Sequence, residues 1–271
     1  IIFDEIQEAP KALASLKYFN ENASQYAIMA AGSLLGVALH QGTSFPVGKV
    51  DFMHLYPLNF YEFLCAMGEK QLAQLLESND YEMINAYSIK YIELLKKYYY
   101  VGGMPEAVQT YIDTDDFYEV REIQKSLLKY YEEDFSKHAP KEVIPRIMMV
   151  WNSIPSQLAK ENRKFMYGSI REGARAKDFE LAIQWLEDAG LIIRSYRITK
   201  PDIPLIAYME INHFKMFMLD VGLLAAKGDI HAKVLLDDCR IFEEFKGALT
   251  EQFVAQQLKA SERELYYYYT E

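Results

Sequence analysis

Only two cysteines, Cys65 and Cys239, occur in 271 residues, without the paired spacing of a zinc site or disulfide framework. Both are expected to be reduced, buried and inert, as in a cytosolic protein. Cationic residues are in the minority: 29 Lys and Arg against 39 Asp and Glu leave a net charge of -10. That balance excludes a protein that coats nucleic acid by bulk electrostatics and confines any such contact to one local face. No apolar run reaches bilayer length. The most apolar stretch, YAIMAAGSLLGVAL from Tyr26 to Leu39, is too short and carries Gly32 and Gly36, which suits a buried strand followed by a loop or helix. The residues open on no charged-then-apolar leader, so no export signal and no membrane partner are expected, and the location is expected to be cytoplasmic. They also open without an initiator Met, so the N-terminus is expected to be a cut. Repeats of fixed period and low-complexity linkers are lacking.

What is present is 51% apolar residues, ample for the cores of two or more domains. The opening stretch IIFDEIQEAP reads as a strand end, two adjacent carboxylates, and a helix starting near Pro10. Lys11 to Asn22 carries Leu13, Leu16, Tyr18 and Phe19 near helical spacing, and Gln25 to Ala31 reads as a continuously apolar strand of a parallel sheet covered on both faces. This is one βαβ unit. Residues 50–64 read as strand, turn and helix around Pro57. From about Leu72 to His138 the pattern is helical. Gly102 and Gly103 break one helix there, and Pro105 begins the next.

In an open parallel sheet, ligands lie at the carboxyl ends of the strands. Asp4 and Glu5 end one strand, and Gly32 and Ser33 end the next. Such an acid pair suits phosphoryl transfer, the first acid supporting a Mg²⁺ shell, the second orienting a water, and a hydroxyl on the neighbouring strand meeting the γ-phosphate. Equally, two acids at a strand end can be plain loop residues. A phosphate loop would decide the matter, and the chain holds one imitator, GTSFPVGKV at Gly42 to Val50. It has five residues where a P-loop has four, Pro46 removes a donor, Val50 replaces the hydroxyl, and it follows the acid pair instead of preceding it. It is rejected as a P-loop.

The runs IIFDEIQEAPKALASLKYF, AAGSLLGVAL and SFPVGKVDFMHLYPLNFYEFL resemble the back half of a prokaryotic AAA-type P-loop ATPase, from its Walker B strand onward. YYYVGGMPEAVQTY, YEEDFSKHAP, REGARAKDFELAIQWLEDAGLI, FKMFMLDVGLLAA and FKGALTEQFVAQQL are similar to the uncharacterised domain that follows that ATPase. The resemblance covers nearly the whole chain. It implies Asp4 for Mg²⁺, Glu5 as the catalytic, water-activating residue and Ser33 as the nucleotide sensor. Lys49 stands where an arginine often serves a neighbouring subunit's nucleotide; a lysine offers a point charge without the planar fork. ATP and Mg²⁺ are then the parent protein's ligands, a homo-oligomer becomes an option, and no cofactor is expected on these residues alone.

The implied fold class is mixed α/β and mostly α: part of the ATPase sheet at 1–64, a helical region at 65–140, a winged helix at 141–200 and the start of a PD-(D/E)XK nuclease-like α/β tail at 201–271. The winged-helix order comes from VIPRIMMVWNSI, a short helix PSQLAKEN, a longer helix with Phe179, Ala182, Ile183 and Leu186 on one face, Gly190 as its stop, and a strand. A recognition helix starting near Ala174 would present Arg171, Arg175 and Lys177 to DNA, with Arg194 and Arg197 on the wing. Glu172, Asp178, Glu180, Glu187 and Asp188 beside them oppose phosphate contact, so DNA, a protein partner or a purely structural role all stay open. In the tail, a helix at about 243–259 carries Glu251, read as a surface carboxylate, and precedes a strand at 265–269. Asp134 and His138, with Glu132 and Glu133 close by, read as a solvated acidic helix end. The tyrosines at 98–100 and 266–269 read as packing residues. No Ser or Cys nucleophile motif accompanies the five histidines.

Overall fold

The computed structural model describes residues 1–40, 48–159, 164–236 and 243–270. Cys239, the first six residues of the P-loop imitator and the end of PSQLAKEN lie outside them. The chain divides into two compact units, residues 1–55 with 183–191, and residues 56–182 with 192–271. The expected parts 65–140, 141–200 (apart from 183–191) and 201–271 therefore fall in one unit.

In the first unit, β1 (Ile2–Phe3) and β2 (Met29–Ala30) pair in parallel, with Ile2 opposite Met29 and Phe3 opposite Ala30. The pairing is prolonged by Met29 N–H to Ile1 O, Ala31 N–H to Phe3 O and Ile6 N–H to Ala31 O, at 2.9, 2.8 and 3.0 Å. Between the strands run a single 3-10 turn, Ile6–Glu8, and α1 (Pro10–Asn22), which starts on Pro10 because its missing N–H has no partner in a first turn. Leu13 and Leu16 of α1 are buried with Ile6, against Phe3, Ile28 and Ala30. Tyr18 faces solvent, contrary to its expected place on the apolar stripe. Helix α2 (Leu35–His40) follows the Gly32–Ser33 turn. The expected cover on both faces is absent among the described residues: Ile2 and Met29, a cross-strand pair on one face, are 75% and 66% exposed. The expected strand at 50–56 does not form among the described residues. Residues 51–59 are irregular, and Met53 and Leu55 are almost fully exposed.

The second unit is built on helices. They are α3 (Phe60–Ala66), α4 (Lys70–Glu77), α5 (Tyr81–Ala86), α6 (Ser88–Val101), α7 (Pro105–Thr114), α8 (Phe117–His138) and α9 (Ile144–Ala159). Asn59 caps α3 in a reciprocal box with Glu62, which satisfies two otherwise orphaned donors. Cys65 in α3 is half-buried, so the expected full burial is corrected. PSQLAKEN does not form its own short helix. Its described part continues α9 through Pro155, and the burial of Trp151, Ile154 and Leu158 on that helix offsets the one backbone bond the proline removes. Next come α10 (Ala176–Asp188), whose residues from Ile183 on fall in the first unit, β3 (Ile192–Ile198) and β4 (Met209–Met218). Gly190 in left-handed geometry ends α10, as its sequence position requires.

The chain then forms α11 (Val221–Lys227), α12 (Ala232–Leu236), α13 (Glu243–Ala260) and β5 (Tyr266–Tyr267). The sheet order is β4-β3-β5: β3 is antiparallel to β4 and parallel to β5, so the tail strand joins the strand that follows α10.

Sequence motifs far apart meet at the end of α6. Tyr98, Tyr99 and Tyr100 are all buried. Gln124 of α8 donates to the carbonyls of Tyr100 and Val101 at 2.8 and 2.9 Å, capping carbonyls that the helix end leaves open. Asp220, wholly buried, caps α11 by accepting from Leu223 N–H at 2.9 Å and reaches Gly103 N–H at 2.6 Å. Gln256 of α13 donates to the same carboxylate at 3.1 Å and to the Tyr98 hydroxyl at 2.9 Å.

Candidate active site

A parallel pair sends both strands out at the same edge, so the register of β1 with β2 brings the Asp4–Glu5 turn and the Gly32–Ser33 turn to one edge of the first unit. Asp4, Glu5 and Ser33 are all exposed there. The chain leaves β1 abruptly because Glu5 adopts left-handed geometry, φ 49° and ψ 45°, a conformation that costs a non-glycine residue about 1 kcal/mol and recurs at functional turns. Asp4 accepts the Glu5 N–H at 3.1 Å, which braces the turn. The Glu5 carboxylate in turn accepts from Gln7 Nε2.

One exposed carboxylate fits Mg²⁺ in its usual mode, in which one or two carboxylates act with phosphate oxygens and retained waters. Among the described residues, no group of three or more His, Cys, Asp or Glu side chains converges as an all-protein metal cage. Lys49 is not brought to this edge by any described contact; its ammonium lies 3.5 Å from Glu21 in the last turn of α1, the turn that leads into the start of β2.

The basic residues expected on a recognition helix and on its wing lie in the second unit. Arg171, Arg175 and Lys177 are exposed at the start of α10, where Arg175 N–H is capped by the Asp178 carboxylate at 3.1 Å. On β3, Arg197 is engaged: it pairs with Glu210 at 3.4 Å and lies 4.4 Å from the Tyr269 ring centroid. Arg194, half-buried, sits within 6 Å of the Tyr196 and Phe214 rings. Neither is free to reach out as a wing cation.

Glu251 holds the Lys215 ammonium with both carboxylate oxygens, at 2.7 and 2.9 Å, in the wall of a groove of about 990 Å³ bordered by α13 and β5. Its charge is thereby neutralised by a lysine. Tyr267 beside it has its phenol pushed up to about 12 by burial. Near His138, Glu132 is occupied by the Trp151 indole N–H at 3.1 Å and by Lys227 at 3.4 Å. Burial lowers the Lys227 ammonium while Glu132 holds it up. No helix of the described residues is long and apolar enough to cross a membrane.

Gln7 is a residue that the sequence does not single out, its one signal being its place two residues after Glu5, and Gly32 is marked there only as a strand end beside Ser33.

Residues 92–233, more than half of the chain, match the family model described as "Domain of unknown function (DUF8612)". Residues 1–64 match the model described as "AAA domain". No curated protein and no solved structure matches the chain.

Proposed function

Because the chain belongs to the DUF8612 family and is similar over residues 1–64 to an AAA domain, we propose that it carries the Walker B half of an ATP-hydrolysing site coupled to the helical second unit. The observation that carries this reading is the parallel register that delivers Asp4, Glu5 and Ser33 to one sheet edge. Asp4 would hold Mg²⁺, which when bound supplies positive charge to the phosphate oxygens. Glu5 orients a water whose oxygen attacks the γ-phosphorus. The bond from phosphorus to the bridging oxygen breaks, its electron pair leaves with ADP, and the water proton passes to the Glu5 carboxylate. Ser33 directs its hydroxyl to the γ-phosphate.

The backbone cradle and lysine of a GxxxxGK[ST] loop do not occur in these 271 residues. In this reading they come from other polypeptide, and the exposure of Ile2 and Met29 among the described residues supports it, since parallel sheets are ordinarily covered on both faces. Titration calorimetry of the 271-residue chain with MgATP is therefore expected to give no heat of binding at micromolar ligand. Micromolar affinity would refute the account of the loop. In a polypeptide that also carries the loop, Glu5→Gln is expected to lower kcat by about 100-fold or more while ATP binding persists. Unchanged turnover would refute the role of Glu5.

A second reading is favoured by one observation, the exposed group Arg171, Arg175 and Lys177 at the start of α10. With the helix, helix, strand, strand order of α9, α10, β3 and β4, it supports a winged-helix contact to duplex DNA, while the nuclease-like reading of 201–271 rests on the order α13 then β5. Fluorescence anisotropy over a salt series tests it. Binding that weakens steeply with salt and is lost in Arg175→Glu with Lys177→Glu is the expected result, and no binding at low salt removes the reading.

A further inference from the structure

Glu5 has an unusual mounting for a residue that must aim a water. Its carboxylate is exposed, and its backbone sits in a left-handed turn. A glutamate side chain with three rotatable bonds has no fixed direction unless something anchors it. The described hydrogen bond to that carboxylate comes from the Gln7 amide, through Nε2 to Oε2. The other end of the same amide, Oε1, is buried without a hydrogen-bond partner among the described residues. It occupies the space in which a Cβ on Gly32 would stand, so the glycine before Ser33 makes room for the glutamine. One planar amide therefore spans from the water-activating carboxylate to the backbone of the turn that carries Ser33.

We propose that Gln7 is a positioning residue: it fixes the direction of the Glu5 carboxylate and ties that direction to the Gly32–Ser33 turn. This rests on the ATPase reading above. A shift of the turn when the γ-phosphate meets Ser33 moves the Gln7 amide, and the amide carries Glu5 with it. Sensing and water activation are thus joined by a single side chain and not by two independent strand ends. Gly32 belongs to the device, because any side chain there displaces the amide.

Two measurements separate this inference from the reading beneath it. In the loop-bearing polypeptide, Gln7→Met keeps bulk over Gly32 but removes the donor. It is expected to lower kcat about tenfold with the KM for ATP unchanged within about twofold, as loss of an orienting partner does. Gly32→Ala, which expels the amide, is expected to lower kcat similarly. If Glu5→Gln abolishes turnover while Gln7→Met leaves kcat unchanged or raises it, the proposal is overturned and the ATPase reading stands. If Glu5→Gln itself has no effect, both fall together. In the 271-residue chain, the Gln7 side-chain amide signals in an ¹H–¹⁵N spectrum are expected to move on Glu5→Ala while the backbone amides of α1 stay in place. Unmoved Gln7 signals would overturn the contact itself.

Discussion

Replacing Gly102 with alanine is expected to destabilise the second unit by about 3 kcal/mol or more, a large part of the stability of an ordinary domain. Gly102 closes α6 with φ 75° and ψ -164°, a conformation essentially confined to glycine. A Cβ added there would collide with the Asp220 carboxylate. The neighbouring geometry leaves no slack. Gly103 donates to Asp220 at 2.6 Å and accepts from Leu58 N–H at 2.7 Å, and a Cβ on it would run into the Leu58 backbone. From the other side, a Cβ on Gly222 of α11 would lie 2.6 Å from both Gly102 N and Val101 O. The end of α6 and the start of α11 therefore meet backbone to backbone, which side chains forbid. Guanidinium denaturation of the chain, with hydrogen exchange of the α6 and α11 amides as the local probe, checks this. Gly222→Ala is expected to act in the same direction, and an unchanged midpoint in both variants would show that the close approach is not a requirement of the fold.

Asp220→Ala is expected to be comparably damaging, at about 4 kcal/mol, because it strands several donors at once. Leu223 N–H loses its helix cap, and Gly103 N–H and the Gln256 amide lose a buried acceptor. Asp220→Asn keeps the shape but turns one acceptor into a donor among donors, so it is expected to fall between wild type and the alanine variant. The pH dependence separates charge from shape. Burial raises the Asp220 carboxyl above its ordinary value, against the hydrogen bonds from Gly103, Leu223 and Gln256 that pull it down. Its folded pKa thus exceeds the unfolded one. The stability this shift contributes is complete below the unfolded pKa of about 4 and is lost as pH rises through the folded value. The advantage of wild type over Asp220→Asn is therefore expected to grow as pH falls toward 4, read from denaturation midpoints. An advantage that shrinks on acidification would place the folded pKa below the unfolded one.

Much of the secondary structure was legible because it depends on neighbours in sequence. Pro10 and Pro105 open helices, Gly102 and Gly190 close them, and the apolar spacing of Phe179, Ala182, Ile183 and Leu186 marks a buried face. Where the reading failed, a distant partner decided the outcome. Residues 50–56 alternate like a strand but find no described strand to pair with, and a strand without a ladder leaves its backbone groups to water. PSQLAKEN looked separate because of Pro155, yet the apolar face of α9 carries the helix past it. Arg194 and Arg197 looked available, and rings and a carboxylate on other strands hold them.

Helix ends at Pro10, Gly102, Pro105 and Gly190, the parallel βαβ start, and the acid pair at a strand end are all written in the sequence. Each follows from backbone preferences and apolar spacing over a few residues. What those pieces meet is set by long-range packing. It placed Asp220 on the glycines that end α6, 117 residues away in the case of Gly103, and β5 alongside β3. It also set the Gln7 amide between Glu5 and Gly32. Such contacts depend on which buried donor finds which acceptor and on where a missing Cβ leaves room, and neither leaves a periodic trace along the chain.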